Sequence, residues 1–171
     1  SEFRSHPIGD AVLQTCSRYD LPLEPLIGLV EMRSDLLSLE KRAEIRDEAA
    51  LELYCGRCHA PIFHYAALIL AQTPIADLST ASGHAGMVMG LVEALRDATF
   101  NLAQQDLIML AREHLSKTRA ALALLPPSIK PAFLPLVSAA PFLDRLERGV
   151  PVERADPPSW NILFRMMTSR I

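Results

Sequence analysis

Apolar side chains recur every three to four residues along nearly the whole chain, a period that predicts one helix after another. Residues 7–20 open with Pro7 and place Ile8, Ala11, Val12, Cys16 and Tyr19 on one face. Pro22 and Pro25 start a second helix through Leu26, Ile27, Leu29, Val30 and Met32 to Leu37. Proline suits a first turn, where its missing N–H is no loss. Residues 38–47, SLEKRAEIRD, read as a charged connection. A long helix is predicted from about Asp47 to Ala71, with a kink or break at Pro61. Pro74 restarts the chain into a helix from about Ile75 to Phe100, and another runs from about Gln104 to Leu125, where Pro126 and Pro127 stop it. Pro131, Pro135 and Pro141 bend the segment 128–148, and Pro157 and Pro158 open a short last helix carrying Trp160, Ile162, Leu163 and Met166. No stretch alternates with period two, and no Asn-Gly or Asp-Gly pair marks a hairpin. The pattern predicts an all-α protein, a bundle of about six or seven helices.

Composition fits that picture. The chain has 171 residues, half of them hydrophobic and 22% charged, enough for one domain with a full core. Ser1-Glu2-Phe3 reads as a cloning scar, which leaves 4–171 as a single domain. A net charge of −3 with no basic run argues against nucleic acid as a partner. Three cysteines make no disulfide framework, and the odd number points to a reducing compartment. No apolar run reaches the roughly 18–20 residues that a membrane span needs, and no secretory signal is visible. A cytoplasmic protein is expected, with membrane contact only at the periphery.

Four groups of residues could carry chemistry. Glu31 and Asp35 are four apart on one apolar helix, and Glu93 and Asp97 are four apart on another, so each pair shares a helix face. Arg33 and Arg96 stand beside them. Two such faces could hold Mg²⁺ between carboxylates and a substrate diphosphate, with arginine on the phosphate oxygens. The alternative is a pair of solvated helix surfaces in ordinary ion pairs. The second group is a stripe of small residues in which Gly83, Gly86 and Gly90 share a face. Glycine costs a helix interior about 1 kcal/mol against alanine. Either close helix packing or a ligand lying on the bare backbone should compensate.

The third group, Cys55-Gly56-Arg57-Cys58-His59, matches the C-x-x-C-H attachment motif of c-type haem, with Met87 or Met89 as a second axial ligand. Zinc held by Cys55, Cys58, His59 and His64 is a further reading, and buried structural cysteine stands ahead of both. The fourth group is His84, among the glycines, and His114, on the next helix. A lone helical histidine is more often a satisfied polar group than a base.

Taken in order, these segments resemble the squalene/phytoene synthase family. Leu26 to Leu36, with Gly28, Met32 and Asp35, is similar to that family's G-M-x-x-D-L helix. Tyr54-Cys55 followed by Ala60 is similar to its Y-C-x-x-V-A-G helix, and Ala81 to Asp97, ending Leu95-Arg96-Asp97, to the helix that ends L-R-D. A looser likeness continues from Arg112 through Leu136. The resemblance implies an isoprenoid-synthase-like helical bundle, two aspartate-rich motifs that bind Mg²⁺ and prenyl diphosphates, and head-to-head condensation. It implies a ligand site at Asp35, Tyr54, Gly83, Gly86, Gly90 and Arg96, with Asp97 and Glu93 on the metal, and a cavity between the helices bearing Tyr54 and Gly86.

The departures are specific. The second motif reads D-x-x-E-D in active members and Asp97-Ala98-Thr99-Phe100-Asn101 here. Gly90 replaces the family's Gln and Glu93 its Asn, the arginine-containing stretch that should follow is absent, and the first aspartate motif belongs upstream of residue 7. The expectation is therefore a catalytically degenerate member, a pseudoenzyme that binds an isoprenoid diphosphate or other lipid-like ligand, or a partner protein. An active prenyltransferase seen as its C-terminal portion is the alternative. A c-type haem electron-transfer protein through Cys55, Cys58 and His59 is the lesser one.

Overall fold

A histidine and a proline set the first helix, α1 (Pro7–Tyr19): extended His6 accepts the Ile8 N–H on its ring nitrogen, and Pro7 opens the first turn. The computed structural model describes residues 6–35, 45, 47–72, 75–96 and 102–168. α1 ends at Asp20, whose left-handed backbone (φ 51°) turns its N–H back to the Cys16 carbonyl. α2 is Glu24–Asp35. α3 (Glu48–Cys58) starts on an Asp47 carboxylate that accepts the Ala50 N–H at 2.8 Å. The expected break then falls at His59 (φ −122°, ψ −39°), and α4 (Ala60–Ala71) follows with Pro61 in its first turn. The interruption lies N-terminal to the proline because the pyrrolidine ring clashes with the preceding turn and not with the following one.

α5 (Leu78–Arg96) starts three residues after Ile75, beyond a left-handed Asp77. Its expected continuation to Phe100 lies outside the described residues, as does most of the 38–47 connection. α6 is Gln104–Leu124. The 128–148 segment divides into a 3₁₀ helix, Pro127–Ser138, and α7 (Ala139–Glu147). Pro131 and Pro135 each remove an N–H from the first part, which denies it an α-helical ladder. α8 (Ser159–Met167) closes the described chain. Among the described residues the protein is all-α, and no helix is long and apolar enough to cross a membrane.

α5 is the core helix. Ala81, Ala85, Val88, Leu91 and Val92 are buried, and α5 packs against α6 on one side and against α3 and α4 on another. The 3₁₀ helix covers α4, where Phe63 and Phe133 stack with centroids 5.6 Å apart. Arg112 on α6 pairs with both Asp144 and Glu147 on α7. A smaller cluster of Cys16, Leu21 and Tyr65 seats α1 on α4, and the Tyr65 hydroxyl donates to the Pro22 carbonyl at 2.7 Å.

Candidate functional site: a carboxylate held between an arginine and a histidine

Apolar residues surround Glu93 along α5, and three elements supply its partners. α2 brings Arg33, which donates Nη1 to Oε1 at 2.7 Å and Nη2 to Oε2 at 3.1 Å, a fork-to-fork pair. The α3–α4 junction brings His59, whose Nε2 lies 2.9 Å from Oε2. A carboxylate only accepts, so that nitrogen carries the proton. α3 brings Tyr54, whose ring meets the His59 ring edge-on at 5.5 Å and whose phenol feels the Glu93 charge. The His59 and Tyr54 side chains are buried, while Glu93 and Arg33 remain about two-fifths exposed (38% and 40%).

The electrostatics follow from these contacts. The His59 hydrogen bond and then Arg33 outweigh burial and hold the Glu93 carboxyl at about 2. Burial is the largest single influence on Arg33 and works against its charge, but the bond to Glu93 and the electrostatic pull of Tyr54, Glu93 and Cys58 together outweigh it and raise the guanidinium. Burial, reinforced by the Glu93 charge, pushes the Tyr54 phenol up. Glu93 is thus a fixed anion already matched by a fixed cation.

Cys55 and Cys58 lie beneath this cluster, both fully buried. Burial first, then neighbouring negative charge, pushes the Cys55 thiol up to about 12; burial pushes Cys58 up to about 11. Both stay protonated at neutral pH, the inert form of cysteine. Cys55 also explains Gly90: a Cβ there would lie 2.2 Å from the Cys55 Sγ. A Cβ on Gly86 would lie 2.5 Å from the Ala60 backbone nitrogen. At these two levels α5 touches the α3–α4 junction directly. Close packing therefore accounts for both glycines, and the helices bearing Tyr54 and Gly86 are closed against each other there. Gly83 differs, because an added Cβ would meet nothing within 4 Å.

The other expected site residues are dispersed. Asp35 and Glu31 are exposed on α2, away from the Glu93 cluster's bonds. Arg96 turns to the C-terminal segment, where it pairs with Asp156 and lies over the Phe142 ring at 4.6 Å. Asp97 lies outside the described residues. Sequence reasoning singled out Arg33 and Glu93 separately and missed their pairing with His59. The signal was there: a lone charge on an apolar, buried helix needs a partner from another element.

The Glu93 carboxylate is already engaged on both oxygens, and Asp97, its expected companion on Mg²⁺, lies outside the described residues. Such an ion takes one or two carboxylates plus phosphate oxygens, and this carboxylate has both oxygens on Arg33 and one also on His59. Among the described residues no three of His, Cys, Asp or Glu converge as a metal group.

The described residues form an all-helical protein, as the isoprenoid-synthase-type fold of the matching family requires. The squalene/phytoene synthase family model matches residues 2–104, more than half of the chain, and the protein belongs to that family. The match covers α1 to α5 and ends at Gln104, so the looser likeness from Arg112 to Leu136 lies beyond it. No curated protein and no solved structure matches the chain.

Proposed function

We propose that this family member has left prenyl-diphosphate condensation and acts by binding, with an isoprenoid or similar lipid as its ligand class. One observation carries the reading: the Glu93 carboxylate is engaged by Arg33 and His59. Ionising two prenyl diphosphates requires several cationic charges assembled on carboxylates that are free to take them, and electrostatics is usually the largest catalytic term. Here the carboxylate is neutralised from within. Arg33 and Arg96, the two arginines with phosphate-binding chemistry, each pair with an acid of this chain. An apolar groove of about 440 Å³ beside α1, lined by Ile8, Val12, Cys16, Leu21, Leu26 and Ile69, supports the lipid class, because its surface is almost wholly hydrocarbon.

The test is to extract the purified full-length protein with organic solvent, before and after incubation with geranylgeranyl or farnesyl diphosphate and Mg²⁺. Mass spectrometry is expected to find a co-purified lipid and no phytoene or squalene. Either condensation product would overturn the reading in favour of an active prenyltransferase.

A further inference from the structure

A second polar cluster lies on the opposite packing face of α5, away from Glu93. His84 on α5 and His114 on α6 direct their Nδ1 atoms at each other, 3.1 Å apart, with ring centroids 5.1 Å apart and planes at 63°. His114 is buried and His84 half-buried. Neither belongs to the aspartate-type chemistry of the family, and neither touches Glu93 in the network described above.

Two ring nitrogens at this distance share one hydrogen. One imidazole donates from Nδ1, and the other accepts on Nδ1 and keeps its proton on Nε2. The same separation suits a metal. A first-row dication about 2.0–2.1 Å from each imidazole nitrogen places the two nitrogens about 2.9–3.4 Å apart at angles between square-planar and tetrahedral. We propose that His84 and His114 form a two-imidazole site for a late first-row transition-metal dication, with water completing the coordination.

Binding needs a change of tautomer and a tilt of the two rings, so that both lone pairs leave the N···N line and converge on the metal. The donating ring moves its proton from Nδ1 to Nε2, both Nδ1 lone pairs then face the metal, and no proton is released. Burial holds both imidazoles below their ordinary range, which keeps them in the neutral, ligating form. Lys117 acts on both rings more strongly than Glu113 does, so the surrounding charges oppose one another. Glu113 acts on both rings and Glu52 on His114, while the opposing cation, Lys117, is itself held by Glu113 at 2.6 Å. α5 and α6 pack along their length, so the two rings are presented by rigid elements.

The experiment is titration of the full chain with Cu²⁺ alone at neutral pH, read by electron paramagnetic resonance. One equivalent should bind with the splitting of two nitrogens and raise the melting temperature. In His84→Ala, affinity should fall about tenfold or more and the two-nitrogen signal should vanish. His114→Gln, checked for helicity by circular dichroism, should do the same; if that variant fails to fold, the half-buried His84→Ala alone decides. Absence of a two-nitrogen signal in the parent protein, or the same signal and affinity in His84→Ala, would overturn the proposal.

Discussion

Glu93 shows how a carboxylate on an apolar helix is held in place. A carboxylate among Val92, Ala94 and Leu95 would be costly without a partner, and two arrive from elements distant in sequence, α2 and the α3–α4 junction. The acid limb of the stability curve should report this. The Glu93 pKa drops from its usual 4.5 to about 2 on folding. The folded state therefore binds fewer protons than the unfolded one, and the contribution is complete above pH 4.5. It is lost as pH falls from 4.5 towards 2. Glu93→Gln removes this part of the pH dependence and leaves the contributions of Glu113 and Glu147, also lowered by their ion pairs, in place. Thermal melts across that window should show a shallower fall in the variant than in the parent protein. Equal slopes would mean that the Arg33–His59 contacts do not hold the charge. The sequence made Glu93 and Arg33 visible as charged residues on apolar helices. It could not show that they meet, because a separation of 60 positions carries no periodic signal for a contact between α2 and α5.

Helices are the scale at which the sequence was most legible. Period and proline placed α1, α4, α6 and α8 closely, because a proline fixes where a helix can begin or must end whatever packs against it. The 3₁₀ helix was legible only as a bent segment, since removing N–H groups says that an α ladder fails and not what replaces it. The glycine stripe of α5 was legible as a compensated cost, but the compensation depends on neighbours that only the fold supplies. At Gly86 the neighbour is the Ala60 backbone, which cannot swing away. Gly86→Ala should therefore lose about 1–3 kcal/mol of stability. At Gly83 nothing stands within 4 Å, and Gly83→Ala should gain about 0.5–1 kcal/mol from helix propensity. Urea unfolding of the two variants checks both signs. A gain at Gly86 would contradict the direct contact between α5 and the α3–α4 junction.

For the whole molecule, family membership and the polar cluster describe different things. The match over residues 2–104 speaks for a common helical scaffold. The Arg33–Glu93–His59 contacts describe how this chain's own residues are arranged on that scaffold. A scaffold can persist while its site changes, because core burial and site chemistry rest on largely separate residues. The proposed loss of condensation rests at this scale on an internal ion pair at Glu93, and the proposed lipid-type ligand on the apolar groove beside α1. The most direct measurement is a crystal structure of the protein grown with Mg²⁺ and a non-hydrolysable prenyl diphosphate analogue. The account predicts Glu93 still forked onto Arg33 and bonded to His59, with no ion on its oxygens. A magnesium ion coordinated by Glu93, with Arg33 swung onto the diphosphate, would contradict it.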